Sequence, residues 1–376
     1  HKKINVKTLL PIIVCMLFGI LTSCSQTDVT IQTPTEINYE LQPIVEGLEI
    51  PWGTVFLPDE SLLINEKSGT LIKVRNGQKD TIVGLPEIYQ RGQGGLMDIE
   101  LHPHYKENGW IYFSYASEDG NEKGGHTAIG RGKLNNNTLI DFETLYKGAP
   151  NTKSGRHFGS RIVFDKDNYL YFSIGDRGNR DVNPQNITKD GGKIYRLHDD
   201  GRIPNDNPFA NDETAKKAIY SYGHRNPQGM ILHPNGKIWI HEHGPRGGDE
   251  INAIEKGLNY GWPKITYGIN YSGTNITKNK SLPGLEQPLY YWIPSIAPSG
   301  RVFLEGDVYP KWGGSLFVGS LKFSYLERLK MKGNKVVLRE KIAADIGRVR
   351  DVFQDAQGYL YIAVENKGIF KIVPTK

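Results

Sequence analysis

An apolar strand, a turn rich in Pro, Asp, Asn and Gly, and a second aromatic-rich strand recur along this chain, and that recurrence limits the fold more than any other feature. The copies read WGTVFLPDESLLINEKSGTLIKV from Trp52, MDIELHPHYKENGWIYFSYA from Met97, SRIVFDKDNYLYFSIGD from Ser160, QGMILHPNGKIWIHEHG from Gln228 and VRDVFQDAQGYLYIAVENKGIFKI from Val349. A looser copy, VYPKWGGSLFVGSLKFSYLERLKM, starts at Val308. Copies recurring about every fifty residues mark propellers or solenoids. Within a copy, Leu170 and Phe172 alternate with Tyr169 and Tyr171, the period of two expected of strands packed on both faces. With 43 Gly and 21 Pro for turns and 20 Tyr, 13 Phe and 6 Trp for strands, the chain reads as all-β. The expectation is a six-bladed β-propeller over residues 40–376, with the segment near Tyr39 completing the last blade to close the ring.

The first residues read differently. Lys2, Lys3 and Lys7 precede an apolar run over residues 9–21, too short to span a bilayer and suited to an export signal. Leu21-Thr22-Ser23-Cys24 resembles the bacterial lipobox, so residues 1–23 are read as a lipoprotein signal peptide and Cys24 as a lipid-bearing N-terminus. Residues 24–39, rich in Thr, Gln and Pro, are read as a flexible tether. The implied location is the bacterial cell envelope, lipid-anchored, periplasmic or surface-exposed. Residues 1–23 hold three Lys and no acids, so the formal charge of +5 falls to +2 without them, which removes the main support for nucleic-acid binding. Cys15 and Cys24 are the two cysteines, which leaves no disulfide to hold the domain.

Polar clusters fall near the starts and ends of the repeated strands. They are Gln93 in RGQGG, Arg156-His157, Asp176-Arg177, GHRNPQG over residues 223–229, EHGPRGGDEIN over residues 242–252, Lys322 in GSLK, and RVRD over residues 348–351. A propeller gathers such loops at one end of its channel, and sequence-distant groups meeting on one face is what catalysis requires.

These segments, together with NYGWP over residues 259–263, resemble the soluble quinoprotein glucose/sorbosone dehydrogenase family, and within it the aldose sugar dehydrogenases. The likeness covers nearly all of the chain after about residue 45. It implies oxidation of an aldose sugar at C1 with pyrroloquinoline quinone (PQQ) and Ca²⁺ as cofactors, and an electron acceptor, quinone or cytochrome, as partner. His157 matches the family's general base, a role suited to a group that titrates near neutrality. Arg225, Lys322, Arg348 and Arg350 match cations that hold the quinone's carboxylates, with Asn226, His243 and Ser295 also on the cofactor. Arg225 stands where charge develops as the quinone is reduced and is also assigned to catalysis. Gly244 and Pro245 match the backbone carbonyls that ligate Ca²⁺. Gln93, Asp176, Tyr290 and Trp292 are assigned to substrate. Two departures stand out: His243 precedes Gly-Pro where many relatives have Gln, and Arg156 precedes the base where the glucose-oxidising branch has an acid.

Other readings compete. His241, His243, His224 and His157 could surround zinc, though no Cys or acid completes a familiar spacing. A Ca²⁺-dependent lactonase would need an acidic cage on the channel axis. A non-enzymatic propeller, like the hedgehog-interacting proteins, would tolerate loss of His157.

Overall fold

The computed structural model describes residues 25–32 and 35–376. The proposed signal peptide and lipidated Cys24 lie outside these residues. Six antiparallel sheets follow one another around an axis, with strands ordered from the axis outward. Their innermost strands are Pro51–Phe56, Leu96–Leu101, Ile162–Phe164, Pro227–Leu232, Pro298–Phe303 and Val349–Gln354, and each touches the next, the last returning to the first. This is a closed six-bladed β-propeller.

Closure uses strand exchange, as expected. Tyr39–Glu46 pairs antiparallel with Gly368–Pro374, from Tyr39 opposite Pro374 to Glu46 opposite Gly368, as the outermost strand of blade six. Of residues 24–39, expected to be a flexible tether, part of the described portion is bound to the ring. Ile31–Gln32 adds in parallel to the outer strand Lys335–Ile342 of blade five, and Gln26 Nε2 donates to the Val336 carbonyl at 2.8 Å. The outer edge of blade five presents unpaired backbone groups, and a polar segment beside it satisfies them better than solvent alone.

The alternation read in the sequence decides the packing. Leu170 and Phe172 face blade two, in one cluster with Tyr112 and Ile129, whereas Tyr171 faces blade four with Met230 and Ile240. Every blade-to-blade junction holds such a cluster, and together they replace a single central core. Fully burying each of these Leu, Ile or Phe side chains contributes roughly 1.5–3 kcal/mol. The only helix among the described residues is one turn, Tyr105–Asn108.

One mouth of the channel is formed where the innermost strands begin and the second strands end. The loops carrying His157, Asp176, Arg225, His243, Lys322 and Arg348 all lie there. The opposite mouth opens into a cavity of about 1900 Å³, lined by Leu57, His102, His233 and Phe353 and holding none of those residues.

Candidate active site

His157 lies on the loop between blades two and three. That loop is pinned from below by Arg177, 2% exposed, whose Nη2 donates to the Ser154 and Gly125 carbonyls at 2.8 and 3.2 Å. Its guanidinium also stacks 3.6 Å from the Phe158 ring. His157 has φ 54°, a left-handed conformation that costs a non-glycine residue on the order of 1–3 kcal/mol. The conformation is held because the His157 backbone N–H donates to Gln93 Oε1 at 2.9 Å. Close approach from the next strand also needs Gly175, where a Cβ would stand 2.4 Å from the His157 carbonyl oxygen and 2.8 Å from Asn226 Oδ1.

The imidazole is oriented by a carboxylate. His157 Nδ1 lies 2.6 Å from Asp176 Oδ1, and Trp262 Nε1 donates to Asp176 Oδ2 at 2.8 Å. Burial raises the Asp176 carboxyl, but His157, Arg225 and Trp262 outweigh it and leave the group below its ordinary value, hence ionised. An ionised acceptor at Oδ1 fixes the proton on His157 Nδ1 and leaves Nε2 as the free base. Asp176 is only 1% exposed, so it does not meet a substrate directly as the sequence suggested. Its two carboxylate oxygens are taken up by His157 and Trp262.

Burial pushes His157 below its ordinary value, partly opposed by the Asp176 hydrogen bond. The base form is therefore present at neutrality and is lost only as pH falls through that lowered value. The acid limb of kcat/KM should lie below pH 6.5, the ordinary histidine value. A limb centred above 6.5 in a pH-rate profile would contradict this assignment.

Blade four brings the second half. Glu242 Oε2 accepts from the Arg225 backbone N–H at 2.7 Å and its Oε1 lies 3.0 Å from His224 Nδ1, fixing the turn that presents Arg225. Arg225 Nη1 donates to the Gly244 carbonyl at 2.7 Å and to that of His243 at 3.2 Å. These two inward carbonyls already accept a cation. Asp249 holds the loop, taking the Gly244 N–H at 2.7 Å and the Ala297 N–H at 2.8 Å. Asn226 Oδ1 accepts from the Gly159 N–H at 3.1 Å, while its buried Nδ2 has no acceptor among the described residues. His243 Nε2 donates to the Pro298 carbonyl at 2.5 Å, and burial depresses this imidazole to about 3, so it is a neutral wall facing Arg225, Arg350 and His157.

The remaining cations form a rim organised by a residue the sequence reading passed over. Glu365 accepts from Arg348 Nε at 2.7 Å and from Arg350 Nε at 3.0 Å. Arg350 is buried beneath it, whereas the Arg348 side chain is 50% exposed. Arg348 Nη1 also meets the Leu321 carbonyl at 3.3 Å, which places Lys322 alongside. Lys322 is exposed and carries no ion pair among the described residues. Glu365 directly follows the strand Leu360–Val364, which pairs with Val349–Gln354, so it comes beside Arg348 and Arg350 only through strand pairing, and no sequence spacing marks it.

Two expected substrate contacts belong elsewhere. Trp292 and Tyr290, each 1% exposed, pack between blades four and five, and Trp292 Nε1 donates to Glu327 at 2.6 Å. Both sit on the outermost strand of blade four, away from the axis. Ser295 lies at the crossing to blade five, beside the Asp249 carboxylate. The four histidines of the zinc reading face separate partners: His157 meets Asp176, His224 meets Glu242, His243 meets Pro298, and His241 is enclosed alone. The channel acids Asp98 and Asp351 are bound to Arg161, not arranged as an open cage.

Comparison with known proteins agrees with this geometry. The glucose/sorbosone dehydrogenase family model matches residues 48–371. The chain is 40% identical over 352 residues to the aldose sugar dehydrogenase YliI of Escherichia coli strain K12, covering 91% of this chain and 94% of that one. The apo-form crystal structure of the soluble Escherichia coli aldose sugar dehydrogenase superposes with a TM-score of 0.87 at 39% identity, covering 90% of this chain and 100% of that one. The PQQ-bound aldose sugar dehydrogenase of Streptomyces coelicolor does so with a TM-score of 0.75 at 26% identity, covering 91% and 100%. A ring of six blades, a buried His-Asp pair at one mouth and a family match over almost the whole ring lead to one conclusion: this chain is an enzyme of the glucose/sorbosone dehydrogenase family.

Proposed function

We propose that the protein oxidises an aldose at C1 to the lactone with PQQ and Ca²⁺, His157 serving as general base, and passes the electrons to a separate acceptor. The observation that carries this reading is the His157–Asp176 pair set beside Arg225 and a buried Asn226 amide that lacks an acceptor among the described residues. The residues fit such a cofactor. Arg348, Lys322 and Arg350 offer the positive charge that carboxylates need, and Asn226 Nδ2 offers a donor. The Gly244 carbonyl already accepts the Arg225 cation, so it and Pro245 would hold Ca²⁺ through backbone oxygens. When bound, PQQ supplies an o-quinone able to take up two electrons as hydride.

The chain's own part is proton management and orientation. His157 Nε2 takes the C1 hydroxyl proton, and Asp176 stabilises the imidazolium so formed. Trp262 and Gly178 hold Asp176 in place, while Arg225 keeps a fixed positive charge at the site. The relatives named above support an aldose as substrate. Purified protein supplied with PQQ and Ca²⁺ should reduce an artificial dye in the presence of aldoses, and omission of either cofactor should abolish most of the rate. Folded, cofactor-supplied protein inactive on every aldose of a broad panel would reject the proposal.

A further inference from the structure

The axis of the ring holds a charged cluster that the chemistry above does not use. Arg161 Nη1 reaches Asp98 Oδ1 and Asp351 Oδ1, each at 3.2 Å, and the Trp52 carbonyl at 3.4 Å. Its Nε donates to the Gln228 carbonyl at 2.6 Å and its Nη2 to that of Arg350 at 3.0 Å. One guanidinium from blade three thereby binds blades one, two, four and six. Blade five is left out.

Blade five contributes Arg301 instead. This residue is 6% exposed, lines the large cavity, and none of its three guanidinium nitrogens has an acceptor among the described residues. Arginine stays protonated, so a buried cation here lacks both counter-charge and hydrogen bonds, an arrangement proteins avoid. The nearby acids are committed. Asp98 Oδ2 accepts the Ile162 N–H at 2.9 Å, and Asp351 Oδ2 accepts Thr54 N–H and Oγ1–H at 3.1 and 2.8 Å. Burial pushes Glu100, also on the cavity wall, up to about 8, so it adds little negative charge at neutrality.

His241 of blade four adds a second unpartnered group. It is fully buried, with neither ring nitrogen hydrogen-bonded among the described residues. It packs over Gly229, where a Cβ would lie 2.0 Å from its Nε2. Burial, followed by the charge of Arg301, keeps this ring neutral, with one N–H to donate.

We propose that Arg301 binds a small monovalent anion, a halide or a formate-sized carboxylate, inside the channel, and that this anion joins blade five to the axial network. Only a small ion reaches a guanidinium that is 6% exposed on the wall of that cavity, and none of His157, Asp176, Arg225 and His243 lines it.

The test uses the intact protein at constant ionic strength, exchanging sodium gluconate for sodium chloride, bromide or formate. The unfolding midpoint should rise by about 2 °C for each tenfold increase in free anion concentration above its dissociation constant, given the entropy of unfolding of a domain this size. Arg301→Leu should flatten that response. Bromide-soaked crystals of the unmodified protein should show an anomalous peak at the Arg301 guanidinium, and its displacement by formate would show that carboxylates share the site, while persistence would restrict it to halides. No peak at Arg301 overturns the proposal, as does an unchanged anion response in Arg301→Leu. Should that variant fail to fold, the bromide peak decides alone.

Discussion

Replacing His157 with alanine should lower kcat with aldoses by about 10²–10⁴-fold, the range that a positioned general base contributes. The fold should survive, because His157 sits at a channel mouth and Arg177 supports its loop without it. Asp176→Asn should lose activity of similar order, since the amide can present its N–H₂ to Nδ1 and move the imidazole proton to Nε2. The double variant should then fall little below either single one, because the two residues act as a unit. Additive losses would mean that Asp176 serves some other end. Steady-state kinetics on the cofactor-supplied variants, with PQQ affinity measured separately, distinguishes lost chemistry from lost cofactor.

The second large effect is on stability. Glu365→Ala would leave Arg350, 8% exposed, without its carboxylate, and breaking a buried pair from one side costs about 3–5 kcal/mol. For a ring of this size that is a fall in unfolding midpoint of roughly 4–7 °C. Glu365→Gln keeps an acceptor oxygen and should fall by less. Calorimetry or fluorescence-monitored unfolding reads the difference; a midpoint equal to the parent's would show that Glu365 contributes no more than a surface partner does.

The ring could be read from the sequence because its information is local. Each strand-turn-strand copy states its own alternation, and Leu170, Phe172 and Tyr171 face the neighbours that alternation assigned them. The loop residues His157, Arg225, Asn226 and Gly244 were likewise visible as polar groups at strand ends, and the structure brings them to one mouth. What the sequence does not carry is pairing between loops. Asp176 looked like a free acid available to substrate, and only its 2.6 Å bond to His157 shows it to be an orienting group. Tyr290 and Trp292 were misplaced for the opposite reason: an aromatic strand reads alike whether it caps a site or fills a blade junction. Residues 24–39 lack apolar periodicity, yet a β edge binds backbone rather than side chains, so composition could not reveal that Ile31–Gln32 would pair there.

The strand Tyr39–Glu46 is made early and used last. Its partner, Gly368–Pro374, is the final strand of the chain described here, so for most of synthesis the first strand of the ring's clasp has nothing to pair with. Blades one to five can form in order as they emerge, but the circle stays open, and the inner strands of blades one and five lack their blade-six neighbour. Loops are closed late and at high sequence separation, which makes the final step slow relative to blade formation. The first and last strands of the ring are therefore each other's clasp, and loss of Gly368–Pro374 would unseat Tyr39–Glu46 as well and leave blade six with two strands of its four.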